Sequence, residues 1–127
     1  DFGAPWGGMH STGRDLAVLL QTMLNGGAYG HKRIFSRAAV AAMTCNHNED
    51  LDAPWGLGWG IYRSKVWSYW GRLAPPGVFG HTGATGTVAW GDGERGLSCV
   101  VLCNQMVRNG SLLRRVSNAV SAAVVEV

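Results

Sequence analysis

The spacing of apolar residues changes twice along this chain of 127 residues, and the order of the changes restricts the fold more than any other feature. In the first part, apolar side chains recur at helical spacing from Leu16 to Leu24. Thr12 is a candidate N-cap with Asp15 three positions on, and Asn25-Gly26-Gly27 ends the run. These signals predict a helix within residues 9–27, followed by a second, short helix from Ser36 to Met43.

Strand-like runs fill the middle of the chain, at 58–62, 66–70, 78–82, 87–90 and 97–102, and a Gly-rich turn is predicted at 91–96. A last helix follows, with its apolar stripe on Leu112, Leu113, Val116, Ala119, Val120, Ala123 and Val124, and with Arg114, Arg115, Asn118 and Ser121 mostly on the other face. We therefore predict one unit over residues 1–127 with an α+β fold, an antiparallel sheet meander flanked by helices. Its helical part is 9–45, its strands span 57–103, and its C-terminal helix is 111–125.

Composition and charge exclude several classes of protein. With 46% apolar residues the chain has enough apolar surface to fold, so disorder is not expected. The net charge is +3, but no basic run with interleaved aromatic residues occurs, which argues against nucleic-acid binding. No apolar stretch approaches the roughly 20 residues of a membrane span. The chain opens on Asp1 without a signal peptide, a start typical of a fragment or a processed chain, so the compartment stays open.

The three cysteines predict free, mostly buried thiols. Cys99 and Cys103 share one strand-like run, which separates them by about 13 Å. A disulfide tolerates a Cα separation of only about 7 Å. A zinc site built from Cys45, His47 and this pair lacks the usual CxxC spacing. We expect no metal and no other cofactor.

The stretch from Phe79 to Thr87 carries Gly80, Gly83 and Gly86 at intervals of three residues, with a histidine and three threonines among them. Glycine inside a strand usually marks a bulge or a close approach to the backbone. Two interpretations follow from the spacing: a bulged strand whose polar residues face water, or a strand whose backbone a ligand approaches.

His81-Thr82-Gly83, within the longer pattern GHTGxTG, resembles the third motif of the serine β-lactamase and penicillin-binding protein superfamily. The histidine variant is similar to class C-like esterases and D-amino-acid peptidases. Other segments resemble the same family in order and spacing: Gly7-Gly8-Met9 with Ser11-Thr12, Asp15-Leu16-Ala17, Leu24-Asn25-Gly26-Gly27, Gly56-Leu57-Gly58-Trp59-Gly60, Glu94-Arg95-Gly96-Leu97 and Val100-Val101-Leu102-Cys103-Asn104. The resemblance covers nearly the whole chain and implies a partial β-lactamase-like fold.

The resemblance also implies roles for four residues. Thr82 would hydrogen-bond the carbonyl or carboxylate side of a substrate, and Gly83 would leave room for the substrate against the backbone. The amide of Ala84 would be one of two oxyanion-hole donors, which a tetrahedral acyl intermediate needs. His81 stands where the family more usually has Lys, giving a donor whose charge depends on pH near neutrality. This favours esterase or peptidase chemistry on a small-molecule ester, amide or lactam, in a periplasmic or secreted protein.

Two of the family's three motifs are absent from the sequence. The residues three positions before the two lysines are Tyr29 and Tyr62, so no Ser-x-x-Lys nucleophile motif exists. No Asn has Tyr or Ser two positions earlier, so Tyr-x-Asn and Ser-x-Asn are missing too. The resemblance thus predicts the C-terminal segment of a serine acyl hydrolase, inactive in isolation. An open sheet edge would bind the missing N-terminal half or a second copy.

Several alternatives stay open at this point. A catalytically dead module of the same fold would keep the cleft wall for ligand binding or assembly. A thiol nucleophile from Cys99 or Cys103 with His81 is conceivable, although nothing in the spacing favours it. The remaining histidines, at 10, 31 and 47, are predicted to lie at the surface or in turns. The tryptophans at 55, 59, 67, 70 and 90 favour core packing over a sugar-binding face.

Overall fold

Nine helices and strands follow one another in the computed structural model, which describes residues 7–62, 69–106 and 109–125. In chain order they are α1 (Gly13–Leu24), β1 (Ala28–Tyr29), β2 (Lys32–Arg33), α2 (Arg37–Thr44), β3 (Gly60–Ile61), β4 (Val78–Gly83), β5 (Thr87–Asp92), β6 (Leu97–Val101) and α3 (Ser111–Ala122). The predicted α+β arrangement, an antiparallel meander flanked by helices, is confirmed. Within these described ranges, no helix is both long and apolar enough to cross a lipid bilayer.

Local capping determines where the first two helices begin, as the sequence predicts. Thr12 Oγ1 accepts the backbone N–H of Asp15 at 3.1 Å and donates to the Asp15 carboxylate at 2.8 Å. Ser36 Oγ accepts the N–H of Ala39 at 3.0 Å at the start of α2. In both cases a side-chain oxygen satisfies an N–H that has no partner within the helix.

A small hairpin between the first two helices is absent from the sequence prediction. Strands β1 and β2 pair antiparallel, with Ala28 opposite Arg33 and Tyr29 opposite Lys32. Each strand has two residues, which is too short for an alternating pattern to appear in the sequence.

The main sheet has four antiparallel strands in the order β3-β4-β5-β6, as a meander requires. Strands β4 and β5 pair without interruption from Val78 opposite Asp92 to Gly83 opposite Thr87, so the bulged-strand interpretation is wrong. The physical reason lies at Gly80, where an added Cβ would approach Trp90 Cβ to 2.8 Å and Trp70 Cε3 to 3.1 Å. This glycine makes room for two tryptophans.

Four predicted boundaries need correction. The C-terminal helix, predicted over 111–125, ends at Ala122. The strand predicted at 58–62 is reduced to Gly60–Ile61. Of the strand predicted at 66–70, positions 66–68 lie outside the described residues, while Tyr69 and Trp70 lie in a turn. The turn predicted at 91–96 begins only after Asp92, which still belongs to β5. The buried Asp92 carboxylate organises that turn by accepting the backbone N–H groups of the two residues after Gly93.

The sheet is covered on both faces. Helices α1 and α2 pack on one face around Leu20, Met23, Val40, Trp59 and Phe79. Helix α3 packs on the other face around Trp70, Ala74, Val78, Val88, Trp90, Cys99 and Leu113. Core packing is confirmed for Trp59, Trp70 and Trp90, whereas Trp55 is half-buried and Trp67 lies outside the described residues.

The face that α3 presents to the sheet differs from the prediction. Its buried residues are Leu113, Ser117 and Ser121, although Ser121 was assigned to the solvent face. Leu112, Ala119 and Ala123 of the predicted apolar stripe are exposed. Small hydroxyl residues lie inward because the indole of Trp90 fills the space beneath the helix and donates from Nε1 to Ser117 Oγ at 3.1 Å.

All three cysteines are free thiols, as predicted, but they differ in exposure. Cys99 is buried, Cys103 is half-buried, and Cys45 is exposed, so the prediction of mostly buried thiols fails for Cys45. That residue follows the last turn of α2, where a short helix ends at the surface. Burial raises the pKa of the Cys99 thiol above its ordinary value, because the thiolate is disfavoured away from water.

Candidate active site

The three residues His81, Thr82 and Gly83 occupy the last half of strand β4. The neighbouring strand β3 pairs only with the preceding positions, Phe79 and Gly80. Among the residues that the structure describes, His81 to Gly83 pair with β5 alone. The second edge of this half-strand is therefore open in the described part of the chain.

Backbone alternation determines which groups face the open edge. Tyr62 donates its N–H to the carbonyl oxygen of Val78 at 3.0 Å, so the polar backbone groups of Val78 point toward β3. In an antiparallel strand every second residue turns its N–H and C=O to the same side. The N–H and C=O of Thr82 therefore point to the open edge. Beyond the strand, the Gly83 carbonyl accepts from Gly86 in the turn, and across the trans peptide the N–H of Ala84 points the opposite way.

The side chain of His81 is exposed and lies along this edge. Its Nδ1 atom is 2.7 Å from the backbone carbonyl oxygen of Thr82. A carbonyl oxygen only accepts, so Nδ1 is the protonated nitrogen and Nε2 is left for another partner. Within β4, the histidine therefore presents a single ring nitrogen outward.

The indole of Trp55 stands against this histidine. The two ring centroids are 5.5 Å apart and the ring planes are inclined by 79°, an edge-to-face contact. Trp55 is itself fixed by its backbone, which accepts from the N–H of His47 at 2.9 Å and donates to Asn46 Oδ1 at 3.0 Å. Sequence reasoning placed Trp55 in the core, and no local pattern indicates its contact with a histidine so distant in the chain.

A tight turn follows β4 and carries the exposed Ala84 and Thr85. Gly86 closes it by donating its N–H to the Gly83 carbonyl at 3.2 Å, with a φ of 76° that favours glycine. An added Cβ at Gly83 would lie 2.3 Å from Thr87 Oγ1, so the space beside this glycine is already shared with a threonine.

The other candidate residues do not join this site. His10, His31 and His47 are exposed, which confirms the prediction for them. Cys99 lies on β6, two strands or about 10 Å from β4, and it is buried on the face under α3. The arrangement gives no support to a Cys99 thiol with His81 as base. In the described ranges, no group of three or more His, Cys, Asp or Glu side chains lies close enough to hold a metal ion.

Comparison with known proteins gives a consistent result. The family model described as Beta-lactamase matches residues 1–123. A protein described as a putative D-alanyl-D-alanine carboxypeptidase in Escherichia coli O157:H7 is 42% identical over 99 residues, which is 77% of this chain and 22% of that protein. Its counterpart in strain K12 is 41% identical over the same shares of the two chains. The chain thus spans about a fifth of the length of these relatives.

Two crystal structures resemble the fold. A beta-lactamase from Mycobacterium bovis matches with a TM-score of 0.75 and 28% identity, over 88% of this chain and 44% of that one. A penicillin-binding protein homolog from Caulobacter crescentus matches with a TM-score of 0.65 and 23% identity, over 84% of this chain and 30% of that one, a likeness of fold alone. Since the family model covers nearly the whole sequence, the chain belongs to the beta-lactamase family.

Proposed function

We propose that this chain forms the substrate-binding wall of a serine acyl hydrolase, as the C-terminal segment of its β-lactamase-like domain. The reaction would be acyl transfer through a serine ester, followed by hydrolysis of an ester, amide or lactam. His81, Thr82 and Gly83 would line the bound substrate, and the amide of Ala84 would contribute to the oxyanion hole.

The open edge of β4 is the observation that carries the proposal. Strand β3 ends its pairing at Gly80, one residue before the motif begins. An extended substrate can add to such an edge through main-chain hydrogen bonds. The outward carbonyl of Thr82 already accepts from His81, so the Thr82 N–H, the imidazole and the groups beyond them are the contacts that remain for a substrate.

The position of Ala84 supports the oxyanion role. The Gly83 carbonyl turns toward β5 and the Gly86 N–H, so the N–H of the trans Gly83–Ala84 peptide points away from them, on the side of the open edge. Ala84 is exposed, and among the turn and loop hydrogen bonds of the described residues none uses its N–H. A fixed backbone N–H beside the bound acyl group stabilises the negative charge that develops on the carbonyl oxygen.

The relatives described as putative D-alanyl-D-alanine carboxypeptidases favour a peptide amide as the substrate. Histidine in place of lysine changes which hydrogen bonds the side chain can make, because lysine only donates whereas a histidine ring nitrogen can donate or accept. With the proton of the neutral ring on Nδ1, Nε2 of His81 accepts a hydrogen bond, whereas in the charged ring it donates one.

The nucleophile is not in this sequence, since neither lysine follows a serine by three positions. We therefore expect the isolated chain to be inactive and to require a segment that carries Ser-x-x-Lys. Pure chain incubated with nitrocefin and with a p-nitrophenyl ester tests this. No turnover is expected, and turnover abolished by a serine-directed phosphonate would contradict it.

The competing function is a catalytically dead module that keeps the same wall for ligand binding or assembly. The exposed His81 beside the open edge of β4 is the observation that favours it, because both can bind a ligand without a nucleophile. A chimera distinguishes the two functions. In it, this chain replaces the matching 99-residue segment of the E. coli O157:H7 relative, and the relative supplies the rest of the protein. Hydrolysis by the chimera supports the enzyme, and binding without hydrolysis supports the dead module.

A further inference from the structure

Three electronegative atoms converge where α2 ends, remote in sequence from the motif on β4. Cys45 Sγ lies 3.3 Å from His47 Nε2. The carbonyl oxygen of Ala42 lies 3.5 Å from that sulfur and 2.7 Å from that nitrogen. Sulfur, nitrogen and oxygen thus form a closed triangle, and both side chains are exposed to solvent.

The backbone that carries the triangle is fixed by neighbouring segments. His47 donates its N–H to the Trp55 carbonyl at 2.9 Å, and Leu57 donates to the carbonyl of Met43 at 3.1 Å. Asn46 Oδ1 accepts from the N–H of Trp55 at 3.0 Å. Both side chains of the triangle therefore project from a turn whose backbone is already fixed by hydrogen bonds. A ligand that binds there does not have to order that backbone, so binding costs little conformational entropy.

Two of the three edges of the triangle are close to those of a metal site, from Cys45 Sγ to His47 Nε2 and from Cys45 Sγ to the Ala42 oxygen. The third, 2.7 Å between Nε2 and that oxygen, is a hydrogen bond and has to lengthen when a cation enters. Tetrahedral Zn²⁺ with bonds of about 2.3 Å to sulfur and 2.0–2.1 Å to nitrogen separates those two atoms by about 3.6 Å. Thiolate and imidazole are the side chains that zinc prefers. The carbonyl ends of the peptide dipoles point out of a helix C-terminus, which favours a cation at this end of α2.

We propose that Cys45, His47 and the Ala42 carbonyl bind one thiophilic divalent cation of the zinc class, with the fourth position left to water or an external ligand. The cation forms bonds to sulfur and to Nε2 and displaces the thiol proton, which passes to solvent. The hydrogen bond from Nε2 to the Ala42 carbonyl breaks, and the neutral imidazole exchanges its proton through solvent, losing it from Nε2 and gaining one on Nδ1. This site differs from the four-ligand site considered for the sequence, since it does not use Cys99 or Cys103.

A simpler role for His47 is to cap α2 by donating from Nε2 to the Ala42 carbonyl. His47→Gln distinguishes the two roles, because glutamine retains an N–H for the carbonyl but is a poor ligand for a soft cation. His31→Gln is the matched control, since His31 is also exposed. Cys45→Ser removes the thiolate while keeping a small polar side chain.

The experiment is a titration of the reduced chain with Cd²⁺, followed by the ultraviolet thiolate-to-metal charge-transfer absorption. We expect one saturable equivalent in the unmodified chain and in H31Q, and loss of the absorption in C45S. H47Q should bind at least about tenfold more weakly, since even ligand-orienting partners are worth 10- to 100-fold in affinity. Absence of the absorption in the unmodified chain, its retention in C45S, or equal affinity in H47Q would overturn the proposal.

Discussion

The Nδ1 atom of His81 lies 2.7 Å from the carbonyl oxygen of Thr82, the next residue in the same strand. This contact joins the side chain of His81 to the backbone of its own strand. It fixes the proton on Nδ1 and directs the chemistry of the ring through Nε2. The properties of the candidate site follow from this relationship and from the open edge beside it.

The neutral ring of His81 is therefore predicted to be the Nδ1–H tautomer. Long-range ¹H–¹⁵N correlation spectra of the labelled chain, recorded well above neutral pH, distinguish protonated from unprotonated ring nitrogens. His31, which is exposed, is the internal reference. Dominance of the Nε2–H form at His81 would show that the contact with Thr82 is not maintained in solution.

The buried hydrogen bond between Trp90 and Ser117 should contribute measurably to stability. Ser117→Ala leaves the indole N–H of Trp90 without its partner in a site that is fully buried. The expected loss is about 1–3 kcal/mol in the free energy of unfolding, measured by urea denaturation. Ser111→Ala, at an exposed position on the same helix, should change it by less than about 0.5 kcal/mol. Equal effects of the two changes would refute this account of the inward hydroxyls.

Cys99 should make stability decrease at alkaline pH. Its folded pKa is raised by burial, so its contribution is complete below the pKa of the unfolded thiol, about 8.5, and is lost as the pH rises through the folded value. Above that pH, the free energy of unfolding of the native chain should therefore decrease relative to that of Cys99→Ala. Parallel pH profiles for the two proteins would contradict the prediction.

The far edge of the sheet, at β6, is predicted to mediate self-association. Continuing the alternation across β5 directs the backbone groups of Ser98 and Val100 away from the sheet. No described strand pairs with this edge of β6, and an unpaired edge associates readily with another chain. Ser98→Pro removes one outward N–H without breaking the pairing with β5, whereas Ser98→Ala keeps it.

Light scattering over a concentration series tests this prediction. The native chain and S98A should associate as concentration rises, and S98P should remain smaller. If the native chain is monomeric at all concentrations, the β6 edge does not mediate association. Association that S98P leaves unchanged would place the interface elsewhere.

Much of the fold is predictable from the sequence because its signals are local. Thr12 and Ser36 identify two helix starts, since a capping oxygen and the N–H that donates to it lie three residues apart. The order of the strands from residue 78 onward follows from apolar runs separated by turns. The resemblance in motifs predicts the family of the chain, and the match of the Beta-lactamase family model to residues 1–123 confirms that prediction.

The remaining features depend on contacts between distant residues. The inward position of Ser117 follows from the hydrogen bond that it accepts from Trp90, and Ser121 lies buried one helical turn further on, which the apolar periodicity of the helix does not reveal. Trp55 contacts His81 because a loop folds back onto β4, and its sequence neighbours carry no sign of that. The spacing of Gly80, Gly83 and Gly86 leaves two interpretations open, and it does not indicate the role of Gly80, because Trp70 and Trp90 come together beside it only in the folded sheet.

The roles of His81, Thr82, Gly83 and Ala84 in the site remain predictions, and Ala84 allows the sharpest test. In the chimera with the E. coli relative, Ala84→Pro removes the proposed oxyanion N–H, at a turn position where proline is favoured. Ala84→Ser keeps that N–H and is the control.

The most direct measurement is kcat of these two chimeras on one p-nitrophenyl ester. We predict that A84P is about 10²- to 10³-fold slower than A84S, the usual effect of losing one oxyanion donor. Equal kcat values for A84P and A84S would contradict the assignment of this edge as the catalytic wall.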